Sequence, residues 1–307
     1  MTKKCFILYG PTASGKSKIA YELAQELPIE IVNMDSVQVF NDFNIGAAKP
    51  DQSVLNQVPH HLINIVSVPD HFSVATYLEK LNVCLEDIHS RHKLPLLVGG
   101  TMLYLKAIMD GGLSDIPLID HLQRDQIHNV LYSLTQKQRY DLLIMVDSLW
   151  AKKVHPNDVQ RTLRGLLVYF ATNKQLSSHK KNNKPFQFKP VLMAIDPIDR
   201  PWLHAKINDR TCDMIESGLI EEVLSLIKRY PNDLDHFIFK SIGYKQVLDM
   251  IKYDHDDCAL KEKINAATRQ YAKRQMTWMK HHKPALTINP NQYILKNIKE
   301  WVISHSN

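Results

Sequence analysis

The chain is poor in the residues that staple small proteins. Four cysteines occur in 307 residues, Cys5, Cys84, Cys212 and Cys258, and no two form a C-x-x-C pair. A zinc ribbon, a redox dithiol and a disulfide scaffold are therefore excluded as readings, and a reducing compartment is expected. No run of 18 apolar residues exists, and the five-residue run at 5–9 is too short for a signal segment, so a cytoplasmic protein with no membrane association is expected. A strong charge of one sign is also lacking: 38 basic against 32 acidic side chains leave +6, which permits a polyanionic partner without requiring one. The 44% hydrophobic and 23% charged content is ordinary for a globular chain and excludes disorder and collagen. Roughly 75% of the unfolded surface can be hidden at this length, so a core needs neither metal nor disulfide. Two structural units are expected.

What the chain does have is order in its apolar runs. Residues 5–9, 29–34 and 94–98 are short apolar runs bounded by turn residues and separated by amphipathic stretches at 17–27 and 74–89. Strand, helix and strand at this spacing predict βαβ units and a parallel sheet with helices on both faces. From about 110 to 189 the periodicity is helical, with no convincing strand. The run at 191–195, followed by Asp196-Pro197, predicts a return to the sheet before the chain finishes in helices.

Directly after the first strand and directly before a helix stands Gly10-Pro11-Thr12-Ala13-Ser14-Gly15-Lys16-Ser17, which matches G-x-x-x-x-G-K-[ST] in full. Glycines let the backbone N–H groups and the helix N-terminus converge on phosphate oxygens, Lys16 adds a point charge, and the Ser17 hydroxyl can ligate Mg²⁺. The expected fold is α/β: a P-loop NTPase-like parallel sheet core, 1–112 and 190–307, flanked by helices and interrupted by a mostly helical insertion at 113–189. Such a loop says that a di- or triphosphate binds, not what is done with it; kinases, NTPases and other transferases remain open. The run ending at Asp196 has the look of the carboxylate-bearing strand that hydrolysing members use.

Parallel strands deliver their C-terminal residues to one edge, where ligands bind. Asp35-Ser36-Val37-Gln38 and Gly99-Gly100-Thr101 should flank the phosphate loop there. Asp35 is suited to act as a base on a bound nucleophile, with a plain turn or helix-cap aspartate as the alternative. Gly99-Gly100 lets backbone approach a ligand closely, and the Thr101 hydroxyl can donate to a leaving oxygen or simply cap the next helix. His60 and His61 are adjacent, which turns them different ways, and lack a carboxylate or cysteine at ligand spacing; no metal is expected there.

Positive charge is concentrated in two places. Residues 174–189 hold five lysines and no acid, and read as a mobile basic loop; residues 261–283 hold seven Lys or Arg against Glu262, with Tyr271 and Trp278 interleaved. Basic residues with aromatics suit a polynucleotide, though a solvated helix face is the blander reading. Arg161 and Arg164 stand three apart after Gln160, on one helical face.

In this order, the motifs GPTASGKS from Gly10, DSVQ from Asp35, IGAAKP from Ile45, PHHLI from Pro59, VGGTMLYLKA from Val98, HPNDVQR from His155, IGYKQ from Ile242 and TRQYAKRQMTW from Thr268 resemble those of the bacterial tRNA dimethylallyltransferase family, also called tRNA isopentenyltransferases. The resemblance implies transfer of a dimethylallyl group from dimethylallyl diphosphate to the N6 amine of the adenine 3′ of the anticodon. It further implies Mg²⁺ as cofactor and the tRNA anticodon stem-loop as partner; a monomer is expected. By position, Asp35 would be the base and Thr101 the donor to the leaving diphosphate. The loop residues Gly10, Pro11, Thr12, Ala13, Ser14, Gly15, Lys16 and Ser17 would hold the diphosphate together with Arg210, which starts an R-x-x-x-M-x-x-x-G-L pattern. Asp35, Ser36, Val37, Gln38 and Thr101 would meet the target base, with Gln38 hydrogen-bonding it. Arg124, Gln160, Arg161 and Arg164 would grip the tRNA, making the insertion the clamp on the anticodon stem.

The chain departs from the family's usual text at Phe40 and Asn41, where Tyr-Arg is common, at Ala47 in place of Thr, at Ser148 in place of Asp-Pro, and at Gly165-Leu166-Leu167 in place of Ala-Leu-Glu. None of these removes Asp35, Thr101 or the phosphate loop. The alternatives are a prenyltransferase acting on free adenine nucleotides, a P-loop nucleotide or small-molecule kinase, and a nucleic-acid-binding protein with a vestigial loop, which the intact Lys16-Ser17 pair disfavours.

Overall fold

Strand and helix alternate from the start of the chain: β1 (Lys4–Tyr9), α1 (Lys16–Glu26), β2 (Ile29–Asn33), α2 (Gln52–Gln57), β3 (His60–His61), α3 (Val74–Ser90), β4 (Leu94–Gly99) and α4 (Met102–Met109). The computed structural model describes residues 3–110, 116, 117, 119–179, 186–196, 199–253 and 256–306. After α4 come α5 (His121–Tyr132), α6 (Gln136–Val146), α7 (Ser148–Ala151) and α8 (Val159–Thr172). Then follow β5 (Lys189–Ile195), α9 (Arg200–Glu216), α10 (Leu219–Arg229), α11 (Tyr244–Tyr253), α12 (Asp257–Met279), β6 (Leu286–Ile288) and α13 (Leu295–Ser306).

The strands form one sheet in the order β3-β2-β4-β1-β5-β6, every neighbouring pair parallel. β1 is central and buried on both faces, which is why it reads as an unbroken apolar run. Its alternation sorts the two layers: Cys5, Ile7 and Tyr9 pack with Tyr77, Leu81 and Leu85 of α3 and Leu105 of α4. Phe6 and Leu8 pack on the other face with Ile19 and Leu23 of α1 and Ile298 and Val302 of α13. A third cluster joins Val39, Phe40 and Phe43 to Val223 and Leu226 of α10 and Val247 of α11. Phe40 is thus core, with its ring against His236 and Phe237, which gives that departure from the usual tyrosine a packing role.

Two compact units result, 1–109 with 186–307, and 110–185. The joins differ from the expected 112/113 and 189/190 because Phe186 and Phe188 pack into the β1 layer and Lys189 already pairs with Lys4. The basic segment at 174–189 is not one loop. Leu176–Ser178 form a 3₁₀ turn tied by Ser177 to the Asp147 carboxylate, and Lys189 opens β5; residues 180–185 of that segment lie outside the described residues. The chain also does not finish in helices alone, since β6 adds a strand beside β5. Among the described residues, no helix is long and apolar enough to cross a membrane.

The unit at 110–185 has its own core of Leu131, Leu143, Ala151, Leu163 and Leu166. A Cβ on Gly165 would lie 2.7 Å from both Leu143 and Trp150 side chains, so Trp150 leaves no room for the alanine common at this position. Its indole N–H donates to the Arg161 carbonyl at 3.1 Å, and the Arg161 guanidinium lies 5.2 Å from the ring centroid.

Candidate active site

Between β1 and α1 the loop turns on Gly15, whose φ of 87° places it in the left-handed region that glycine adopts without penalty. The Ser14 hydroxyl is buried and finds no partner among the described residues. Lys16 Nζ donates to the Pro11 carbonyl at 2.7 Å, and from α9 Arg210 Nη1 donates to the Thr12 hydroxyl at 3.1 Å. Burial, and then the charge of Arg210, push the Lys16 ammonium down to about 7, with Asp35 pulling the other way. Burial also lowers Arg210. Two cations crowded together beside an unpartnered hydroxyl and the start of a helix make a site for an anion.

β2 and β4 bring their ends to the same edge. Asn33 fixes the turn after β2, donating from Nδ2 to the Asp35 and Leu62 carbonyls at 3.0 Å while its Oδ1 accepts from the Asp35 N–H at 2.9 Å. Asp35 Oδ1 accepts from the Val37 N–H at 2.8 Å, so the plain turn role is real, and it leaves the second carboxylate oxygen for chemistry. Thr101 Oγ1 accepts from the Ser36 N–H at 3.1 Å, tying the two edge loops together. Gly99 and Gly100 line the Lys16-side cavity and also admit protein neighbours: a Cβ would lie 2.1 Å from the Met34 carbonyl oxygen at Gly99 and 2.2 Å from Gln275 Nε2 at Gly100.

Gln275 was not among the expected site residues. It stands on α12, 2% exposed, accepting from the Thr12 N–H and donating to the Gly100 carbonyl, both at 2.8 Å. One turn earlier the Tyr271 hydroxyl donates to the same carbonyl at 3.3 Å. The basic stretch 261–283 is therefore divided by face: Lys263, Lys273, Lys280 and Lys283 are exposed, while Tyr271 and Gln275 close the site. The one available signal was their four-residue spacing in a segment whose charges fall on other faces.

Two cavities share Thr12, Asp35, Ala47, Arg210 and Tyr271. One contains Lys16, Ser17, Gln38 and His60. The other, of about 270 Å³, is walled by Val37, Ile207, Met214, Ile242 and Ile264, with Lys240 and Arg274 also lining it. Asp35 is the one carboxylate common to both linings. Asp196 is exposed beyond β5 and lines neither, so the resemblance of its strand to a hydrolytic one has no counterpart here. His61 pairs instead with buried Glu30 at 2.6 Å, a carboxylate that Arg91 also contacts, and His60 Nδ1 meets the Val58 carbonyl at 2.8 Å.

In the unit at 110–185, Gln160, Arg161 and Arg164 project from the exposed side of the first turns of α8, whose N-terminus Asp158 caps by accepting from the Arg161 N–H at 3.0 Å. Arg124 of α5 is close enough that its charge, after burial, lowers the pKa of Arg164. The arginines sequence reasoning paired on one helix are thus joined by a third from another.

A parallel sheet whose central strand enters a glycine-turned loop crowned by lysine and arginine defines a P-loop NTPase-like fold with a site suited to an anion. The chain belongs to the IPP transferase family, whose sequence model matches residues 38–282. The tRNA dimethylallyltransferase of Legionella pneumophila (strain Corby) is 36% identical over 307 residues, covering 98% of this chain and 97% of that protein. That of Chromobacterium violaceum is 40% identical over 284 residues, covering 90% and 86%. Among solved structures, the full-length tRNA isopentenylpyrophosphate transferase of Bacillus halodurans superimposes with a TM-score of 0.70 at 30% identity, over 99% of this chain and 97% of that one. A eukaryotic dimethylallyltransferase acting on tRNA does so with a TM-score of 0.69 at 28% identity, over 90% and 70%.

Proposed function

We propose that this chain is a tRNA dimethylallyltransferase, moving a dimethylallyl group from its diphosphate to the N6 amine of the adenine 3′ of the anticodon. The observation that carries the reading is Asp35 standing where the two cavities meet. The cavity on the Lys16 side takes the diphosphate, against the loop N–H groups, Thr12, Lys16 and Arg210. The roomier one, with cationic Lys240 and Arg274 in its lining, takes the base turned out of the anticodon stack. The amine nitrogen bonds to C1 of the dimethylallyl group as the C1–O bond breaks. The diphosphate leaves with the electron pair, stabilised by the cations, and the amine proton passes to Asp35.

Ser17 lies exposed at the start of α1, in an open cleft with Asp209 and Asp213. The same cleft carries Lys16, Lys18, Lys206 and Arg210, and Asp209 already accepts from Lys206 at 3.2 Å; the Ser17 hydroxyl is the donor that would hold Mg²⁺, which would lend charge neutralisation to the departing diphosphate. Thr101 lines neither cavity; tied to Ser36, it holds the Asp35 turn, and its proposed role toward the leaving group is through that turn. Arg124, Gln160, Arg161 and Arg164 grip the RNA backbone, and the protein acts as a monomer in the cytoplasm. A kinase reading would need a catalytic carboxylate and a small acceptor site; the one carboxylate lining the two cavities adjoins a cavity that also carries Lys240 and Arg274, cations complementary to an RNA backbone.

The deciding experiment incubates the protein with Mg²⁺, labelled dimethylallyl diphosphate and an anticodon stem-loop. Label is expected on the RNA without ATP, and ATP consumption with an unlabelled RNA would sink the reading. Arg161→Ala is expected to weaken stem-loop binding and to reduce the slope of log K against log salt by about 1. An unchanged slope removes that contact.

A further inference from the structure

Residues 44–50 run between the two cavities without helix or strand to support them: Gly46 and Ala47 line the larger, Ala47, Ala48 and Pro50 the smaller. One carboxylate from the first turn of α10 holds this backbone. Glu222 accepts from the N–H groups of Asn44 at 3.2 Å to each oxygen, of Ile45 at 2.7 Å and of Gly46 at 3.4 Å. Tyr244 donates its hydroxyl to Glu222 at 2.6 Å and accepts from the Ala47 N–H at 3.1 Å. Four successive backbone donors therefore end on one Glu-Tyr pair. The fit is tight, since a Cβ on Gly46 would lie 2.6 Å from the Tyr244 ring.

So held, the next two carbonyls face Gln38. Its Nε2 donates to the carbonyls of Ala47 and Ala48, both at 3.1 Å. A primary amide carries two N–H hydrogens and one carbonyl oxygen. With both hydrogens engaged, the remaining hydrogen-bonding atom is Oε1, an acceptor; turning the amide over would set that oxygen against two carbonyl oxygens. An acceptor fixed in this way pairs with an amine and repels an oxo group at the same place.

We infer that Glu222 and Tyr244 are positioning residues that set the polarity of Gln38, and through it select a base carrying an exocyclic amine over one carrying an oxo group. The inference rests on the prenyltransferase reading above and adds to it what enforces the choice of base. Asp35 lines both cavities and Gln38 only the one on the Lys16 side, so a base entering from the larger cavity meets the two residues where the cavities join, one amine hydrogen directed to Asp35 and the other to Gln38.

The test compares dissociation constants of anticodon stem-loops carrying adenosine or inosine at the target position. Wild-type protein is expected to prefer adenosine by about tenfold or more. In Tyr244→Phe, which loses one hydroxyl, and in Glu222→Gln, that ratio should fall toward one because adenosine binding weakens, while inosine and dimethylallyl diphosphate binding stay within about twofold. Gly46→Ala, whose added methyl would meet the Tyr244 ring at 2.6 Å and so displace the same backbone from the Tyr244 side, should give the same loss of selectivity. Equal weakening of all three ligands marks a merely structural role and overturns the inference, as does an unchanged ratio in folded Tyr244→Phe. Wild-type protein that binds neither stem-loop fails the prenyltransferase reading itself, and the two failures are thereby distinguished.

Discussion

Asp35→Ala is expected to lower kcat for dimethylallyl transfer by roughly 10²- to 10⁴-fold while stem-loop affinity changes little, because a positioned base acts on the reacting proton and not on ground-state binding. The alanine variant alone is ambiguous, since Asp35 Oδ1 also holds the Val37 N–H. Asp35→Asn keeps an oxygen there and loses the basicity. Both variants should be inactive to a similar degree if proton removal is the role. Near-normal turnover in Asp35→Asn, measured in single-turnover experiments, would leave the residue only its turn. A smaller effect accompanies the first: the Asp35 charge supports the Lys16 ammonium, so either variant should bind the diphosphate donor more weakly at neutral pH.

Lys16→Met should reduce kcat/KM for the donor by about 10²- to 10³-fold, as loss of one preorganised partner to a departing anion does elsewhere. Its pH behaviour is the sharper test. In the folded, ligand-free protein Lys16 titrates at about 7, below the ordinary lysine range, because of burial and then Arg210. Between those values the unfolded chain binds a proton that the native site does not, so native stability rises with pH from about 7 upward and is lowest below it. A bound diphosphate supplies the missing counter-charge. Binding above pH 7 therefore takes up a proton, and donor affinity should fall by up to about tenfold per pH unit from there. Lys16→Met removes that dependence and should raise the melting temperature of the ligand-free protein at pH 6. Flat affinity between pH 7 and 9 in the wild type would refute the assignment.

The parts legible in the sequence were those with local signatures. β1, β2, β4 and β5 fall on apolar runs, and the phosphate loop is specified by eight consecutive residues. The short strands were not legible: β3 is the pair His60–His61 and β6 only Leu286–Ile288, too brief for a period of two to register. The supports of the site also escaped, for a different reason. Gln275, Glu222 and Tyr244 act through backbone groups 175 to 263 positions away, and no spacing rule reaches that far. Gly99 and Gly100 show the limit from the other side. Their need for close approach was legible, but not that a Met34 carbonyl and a glutamine share it with the cavity they line.

The bridge from Gln275 to Thr12 has a consequence for how the protein is made. The phosphate loop is synthesised 263 residues before the side chain that accepts from its Thr12 N–H and donates to the Gly100 carbonyl. β1 likewise waits for β5, on the far side of residues 110–185. A nascent chain therefore carries the phosphate loop long before it carries a competent site. Pairings this distant in sequence also slow folding, so activity should appear only once α12 has docked.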